Sequence, residues 1–194
     1  LGFLILALLK RLDFGVFRRP IVWVLGVLNA LAFNLQNFGM VYTTASKTSL
    51  LVNVNIVFIA ILMALVFHER VTWKKVVGIL VGIVGVVVLA TQLNTKFLQG
   101  GEFLGDALVF LSGVVWAFYV IGTKSMVDRG GAYIALTTGI LAVTTIVAII
   151  PLIVFAAPIP TGGTLWAGIL YLGFVPTFTT LLLYTLSMRT ISPT

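Results

Sequence analysis

Six long apolar stretches constrain this chain more than any other feature of its sequence. They cover residues 21–43, 47–67, 74–91, 104–123, 133–157 and 164–187, so each has 18 to 25 residues. A helix of about 20 residues crosses the roughly 30 Å hydrocarbon core of a bilayer. The chain is 60% hydrophobic and 9% charged, whereas soluble domains carry about 25% charge. No stretch shows the period-two alternation of a membrane barrel. We therefore predict an all-α polytopic membrane protein.

A shorter apolar run, Leu1–Leu9, comes before the first basic residues, Lys10 and Arg11. Nine helical residues rise about 14 Å, roughly half of the hydrocarbon thickness. A signal peptide carries its positive charges before its apolar core, and here they follow it. We expect this run to be the tail of a spanning helix whose first part precedes the sequence.

The basic residues predict the orientation of the spans, because Lys and Arg accumulate on the cytoplasmic side of membrane proteins. If the segment 10–19 is cytoplasmic, ten of the twelve basic residues lie on that side, and only Lys47 and Lys96 lie outside. Glu102 and Asp106 are then outside as well. This asymmetry accounts for the formal net charge of +7 without nucleic acid as a partner. We expect an integral, multi-pass protein of the plasma (cell inner) membrane, with the lipid bilayer around it.

Two short segments with similar residues indicate an internal repeat. VYTTASKT, at Val41–Thr48, corresponds to SMRTISPT, at Ser187–Thr194, with an offset of 146 residues. Five spans separate the segments, and an odd number of spans reverses the direction of the second copy in the membrane. Inverted repeats are the architecture of many secondary transporters.

The segment Tyr42–Thr91 has an ordered set of features. Small polar residues open a helix at Thr44–Ser49, a long apolar stretch follows, and then come Glu69-Arg70 and a last helix with Gly78, Gly82 and Gly85. Together with Gly101–Lys124, which contains Trp116-Ala117 and Tyr119, this order resembles the EamA repeat of the drug/metabolite transporter superfamily. His68 departs from the pattern, since a Gly before the Glu-Arg pair is commoner.

The resemblance implies a fold of ten helices in two inverted five-helix repeats (5+5), with both termini in the cytoplasm. About six and a half of those helices are present. Residues 1–92 correspond to the C-terminal part of the first repeat, from the end of helix 2 to helix 5. Residues 101–194 correspond to the N-terminal part of the second repeat, helices 6 to 8. A homodimer is an arrangement that the sequence leaves open.

Polar and aromatic side chains on the predicted spans are the candidates for a substrate cavity. They share helical faces that lipid is unable to satisfy by hydrogen bonding. The candidates are Asn29, Gln36, Asn37, Thr44, Ser49, Asn53, Trp116, Tyr119, Thr177, Thr180 and Tyr184. Asn55 points away from the face of Ser49 and Asn53 on a regular helix. Each residue alone is explained by hydrogen bonds between helices, while the cluster on two adjacent helices favours a polar cavity.

Lys47, at the outer start of a span, has two interpretations. Its ammonium group reaches the membrane interface, or it contacts an anionic substrate. The five acidic residues lie in loops or at span ends, so we expect no buried carboxylate of the kind that relays protons or sodium. Gly78, Gly82 and Gly85 are expected to allow close helix packing. A single histidine, His68, supports no metal site, and no cofactor is indicated.

These observations favour a secondary transporter that moves a small organic solute by alternating access. Amino acids or related amphipathic metabolites suit a pocket of amides and aromatics, and the resemblance implies export. A sugar-phosphate or nucleotide-sugar exchanger of the same superfamily is the alternative within transport. An integral membrane enzyme such as a lipid transferase needs clustered Asp, His or Cys near the interface. Here no acid lies beside a histidine except Glu69 with His68, so we expect no enzyme. A structural membrane subunit is the third class.

Overall fold

The computed structural model describes residues 14–66, 68, 72–91, 102–128, 133–155 and 161–173. These residues form helices and their connections, with no strand among them. A 3-10 helix at Phe14–Arg18 leads into α1 (Pro20–Tyr42), and α2 (Ala45–Leu51) and α3 (Asn55–Val66) are joined by a 3-10 turn at Val52–Val54. Next come α4 (Trp73–Thr91), α5 (Glu102–Asp128), α6 (Tyr133–Val154) and α7 (Gly163–Leu172). The all-α prediction is confirmed.

Four helical segments of the described chain are long and apolar enough to cross a membrane. They are Pro20–Tyr42, Ala45–Val66, Glu102–Met126 and Ala135–Val154. They fall on four of the predicted spans, and the chain is an integral, multi-pass membrane protein. The other two predicted spans coincide at least in part with α4 and with α7, whose apolar portions are shorter. Leu1–Leu9 and the end of the last predicted span lie outside the described residues.

Local chemistry explains the sharp turn between α1 and α2. Pro20 occupies the first turn of α1, where its fixed φ and missing amide hydrogen do no harm. α1 ends where Thr43 becomes extended, with φ of −134° and ψ of −179°. Thr44 then caps α2, because its Oγ1 accepts a hydrogen bond from the amide of Lys47 at 3.2 Å. Such a cap satisfies an amide that would otherwise lack a partner.

α1 lies between α5 and α6 and forms the centre of the described bundle. Its direction is opposite to that of α5, because Gly39 meets Gly105 near one end and Leu25 meets Gly122 near the other. It runs parallel to α6, since Val22 contacts Gly139 and Gly26 contacts Val143. The apolar core of this contact consists of buried side chains from α1, α6 and the first 3-10 helix, among them Val16, Val22, Leu25, Leu136, Ile140 and Val143.

The α2–α3 span packs on the other side of α5. Phe58 of α3 and Phe110 of α5 form an edge-to-face ring pair with centroids 5.8 Å apart. α4 packs against α2 and α3, where a Cβ added at Gly82 would lie 3.0 Å from Val57. Close packing is therefore confirmed at Gly82. At Gly78 and Gly85 no described atom lies within 4 Å of an added Cβ, so close packing there stays a prediction.

Candidate functional site

A charged cluster joins the end of α1, the start of α2 and the start of α5. The ammonium group of Lys47 lies 2.6 Å from Glu102 Oε2 and 3.5 Å from Asp106 Oδ2. The hydroxyl of Thr43 donates to Asp106 Oδ1 at 2.5 Å. Glu102 and Asp106 are four residues apart and share one face of α5. Two carboxylates and one ammonium leave the cluster with one net negative charge. We call these four residues the Lys47 cluster.

Burial distinguishes the members of the Lys47 cluster. Lys47 and Asp106 are 7% and 4% exposed, whereas the side chain of Glu102 is 58% exposed. The expectation that no described helix holds a buried carboxylate is therefore wrong for Asp106. The ammonium group of Lys47 is enclosed by the bundle and paired with carboxylates rather than extended into solvent. Removing one partner of a buried ion pair typically costs about 3–5 kcal/mol, because the other charge stays buried.

Asn29 is buried between α1 and α6. Its Nδ2 donates to Thr144 Oγ1 at 3.2 Å. The hydroxyl of Thr144 lies 2.9 Å from the carbonyl of Ile140 and 3.1 Å from that of Gly26, so its single hydrogen serves one of these two acceptors. This is the geometry of a hydrogen bond that links two membrane helices. Asn29 is thus a sequence candidate whose side-chain hydrogen bond joins two helices.

The remaining polar candidates of the first two spans are less enclosed. Gln36 is half-buried and Asn37 is exposed. On the next span, Ser49 and Asn53 are exposed and bond to the backbone of their own span. Ser49 Oγ donates to the carbonyl of Ser46 at 2.8 Å, and Asn53 Nδ2 donates to that of Ser49 at 2.6 Å. Thr44 serves as the cap of α2. These side chains remain cavity candidates, with part of their hydrogen bonding already met.

Two polar atoms are buried without a partner among the described residues: the acceptor Asn55 Oδ1 and the donor Trp116 Nε1. Both residues lie near Gly113 of α5. The backbone amide nitrogen of Asn55 lies 3.4 Å from a Cβ added at Gly113, and Trp116 follows Gly113 by one helical turn. The ring of Trp116 packs edge-to-face on Phe33 of α1 with centroids 5.3 Å apart. An unsatisfied buried polar group is rare and requires an explanation such as water or a ligand.

The choice of the wrong helical face explains why sequence reasoning missed Asn55. On a regular wheel of about 100° per residue, Asn55 lies about 200° from Asn53 and points away from the face of Ser49 and Asn53. The structure keeps this separation, since Ser49 and Asn53 are exposed and Asn55 is half-buried beside α5. The wheel separates the two faces but does not indicate which of them turns toward α5.

Tyr119 packs against the apolar core between α1 and α6. Thr177, Thr180 and Tyr184 lie outside the described residues. Within the described chain, no group of three His, Cys, Asp or Glu residues is placed to hold a metal ion.

The described chain is thus a bundle of membrane helices that holds charged and polar groups between its spans. Residues 1–91 match the EamA-like transporter family. This part of the chain thus carries the EamA-like transporter domain that the order of motifs in Tyr42–Thr91 predicts.

Relatives of this chain cover more of its length. It is 29% identical over 173 residues to the "Uncharacterized transporter YyaM" of Bacillus subtilis, which covers 83% of the chain and 53% of that protein. It is 31% identical over 149 residues to an "Uncharacterized transporter" of Archaeoglobus fulgidus, which covers 75% of the chain and 50% of the relative. A "Probable terminal-alkyne amino-acid exporter" of Streptantibioticus cattleyicolor is 29% identical over 163 residues, 81% of the chain and 52% of the exporter. The chain spans about half the length of these relatives. No solved structure matches it.

Proposed function

We propose that the protein containing this chain is a secondary transporter that exports small organic solutes, amino acids in particular, by alternating access. The observation that carries this proposal is a pair of buried atoms, Asn55 Oδ1 and Trp116 Nε1, that have no partner among the described residues. At hydrocarbon depth an unsatisfied polar group costs several kcal/mol unless it lines a cavity or meets a polar partner. A solute that donates to Asn55 and accepts from Trp116 removes this cost when it binds.

Amino acids have the chemistry that this pair requires. Their ammonium group donates hydrogen bonds, as Asn55 Oδ1 needs, and their carboxylate accepts one, as Trp116 Nε1 needs. Phe33 and Trp116 add an aromatic wall, which suits an apolar side chain. The exporter of Streptantibioticus cattleyicolor supports this substrate class, because its name specifies an amino acid.

The sugar-phosphate or nucleotide-sugar alternative receives less support. Lys47 is its one predicted anion contact away from the cytoplasmic side. Lys47 is instead ion-paired with both Glu102 and Asp106. An anionic substrate would have to displace two carboxylates to reach it, against the net negative charge of the cluster.

Flux of radiolabelled amino acids in proteoliposomes tests the proposal. We expect Asn55→Leu and Trp116→Phe each to raise the amino-acid concentration at half-maximal flux about tenfold, since a lost hydrogen bond to a charged group corresponds to about 1.4 kcal/mol. Trp73→Phe is the matched control, because Trp73 is 76% exposed at the start of α4 and its variant should transport normally. Recovery of the solute chemically unchanged separates transport from an enzyme. Absent flux, or full flux in both Asn55→Leu and Trp116→Phe, would contradict the proposal.

A further inference from the structure

The span Ala45–Val66 contains a built-in break. The 3-10 turn Val52–Val54 separates the seven-residue α2 from α3. In this turn the amide of Asn55 donates to the carbonyl of Val52, three residues earlier rather than four. A short 3-10 stretch within a helix has poorer hydrogen-bond geometry and often marks a hinge.

The turn is supported by α5 at a single glycine. A Cβ added at Gly113 would lie 2.7 Å from Val54 Cγ1 and 2.9 Å from the carbonyl oxygen of Val52. Real Cβ atoms do not approach so closely, so only glycine lets the turn rest directly on the backbone of α5. This contact gives α2 a fixed point about which to tilt.

The Lys47 cluster fastens the other end of α2. Lys47 reaches across to Glu102 and Asp106 of α5. A buried ion pair contributes little net stability compared with apolar packing, yet its loss on one side is costly. Such a contact suits an element with two alternative positions better than a permanent anchor. Glu102 is the more exposed carboxylate, so water is available to it when the pair separates.

We propose that α2 is a gate, hinged at Val52–Val54 and held shut by the ion pairs of Lys47 with Glu102 and Asp106. In the shut position Thr48 of α2 is 2% exposed. When the gate opens, Lys47 leaves α5 and the region of Asn55 and Trp116 becomes accessible from the Lys47 end. Asn55 is the residue that immediately follows the hinge, so a solute bound to Asn55 acts directly on the hinge. The gate rests on the proposed transport function, which requires access from one end at a time.

Single reporter cysteines measure the gate without any transport assay, because residues 1–194 contain no cysteine and any cysteine elsewhere in the full protein is first replaced by Ser. Thr48→Cys places a thiol on the buried face of α2. Ser112→Cys places a matched thiol on α5, where Ser112 is 1% exposed and shares a helical face with Gly105 and Val109, which contact Gly39 of α1. The full protein in nanodiscs reacts with a charged methanethiosulfonate reagent. For each reporter cysteine, the labelling rate is compared with and without the double substitution Lys47→Met and Asp106→Asn. This double variant leaves no buried charge unpaired.

We expect the double variant to raise the labelling rate of Thr48→Cys by about tenfold or more, because an open state below about 10% then becomes dominant. The rate of Ser112→Cys should stay the same. Lys74→Met, at an exposed lysine of α4, is the control and should not change the Thr48→Cys rate.

The outcomes separate the gate from the transport proposal. An unchanged Thr48→Cys rate in the double variant overturns the gate, even where amino-acid flux is measured. An equal rise for Thr48→Cys and Ser112→Cys also overturns it, since the cluster then only stabilises the bundle. The expected labelling pattern without flux supports the gate and contradicts the proposed transport function.

Discussion

His68 adopts a backbone conformation that few side chains tolerate, with a φ of 52°. This left-handed region costs an ordinary residue about 1–2 kcal/mol, and Asn and His enter it more readily than most. The position is also where the family resemblance makes Gly the commoner residue. The positive φ therefore explains why Gly is commoner at this position and why His is tolerated there.

We predict that His68→Val lowers the free energy of unfolding by about 1–2 kcal/mol, because a β-branched residue is least compatible with a positive φ. His68→Asn should stay within a few tenths of a kcal/mol. Thermal unfolding of the two variants in detergent, measured side by side, gives the comparison. Equal midpoints for Val and Asn would show that the turn relaxes to another conformation.

Some residues of the candidate site are predictable from the sequence, and others are not. Trp116 is a sequence candidate because an aromatic ring with a donor on a spanning helix is visible in the sequence. Asn55 is not, since sequence reasoning assigns the cavity to the face of Ser49 and Asn53, from which Asn55 points away. The pairing of Lys47 with Glu102, 55 residues away, depends on how two helices meet. The sequence predicts only that both charges lie on the same side of the membrane.

Among the helices, the contact between α1 and α5 depends on two facing glycines. A Cβ added at Gly105 would lie 2.7 Å from the carbonyl oxygen of Gly39 and 2.9 Å from the amide nitrogen of Thr43. No side chain atom separates the two backbones at this point. The same contact brings Asp106, the next residue, within reach of Thr43 and Lys47.

Gly105→Ala should force α1 and α5 apart and destabilise the bundle by about 1–3 kcal/mol, the usual cost of overpacking. Gly85→Ala is the matched control, because the added Cβ meets no described atom within 4 Å. It should be neutral or stabilising by about 0.5–1 kcal/mol, as Ala favours a helix over Gly. Unfolding midpoints in detergent measure both changes. A Gly105→Ala protein as stable as the Gly85→Ala protein would contradict this packing.

The contrast between these glycines shows where helix-level prediction ends. Apolar length and turn residues suffice to predict the bounds of α1 within one residue, from 21–43 to Pro20–Tyr42. The spacing of Gly78, Gly82 and Gly85 predicts a packing face in the same way, but only Gly82 meets another described helix. Spacing defines a face of small residues, whereas a contact needs a second helix, which the spacing does not identify.

For the molecule as a whole, the structure groups the charges by the two ends of the bundle. Lys47, Glu102 and Asp106 meet at one end. The positive-inside rule, applied to the other Lys and Arg residues, predicts that this end lies outside the cell. Arg18 and Arg19 precede the opposite end of α1. Because α1 runs against α5 and along α6, each helix has the direction that this orientation requires. The division into inverted repeats remains a prediction.

Labelling in intact cells tests this orientation with two cysteines at exposed positions on either side of one span. Ser46→Cys lies at the start of the Ala45–Val66 span, and Thr72→Cys lies beyond its end. A span of 22 residues places these positions about 33 Å apart along the membrane normal. We expect a membrane-impermeant thiol reagent to label Ser46→Cys in intact cells and Thr72→Cys only after the membrane is permeabilised. The reverse pattern would place the Lys47 cluster in the cytoplasm, and the proposed gate would then control access from inside the cell.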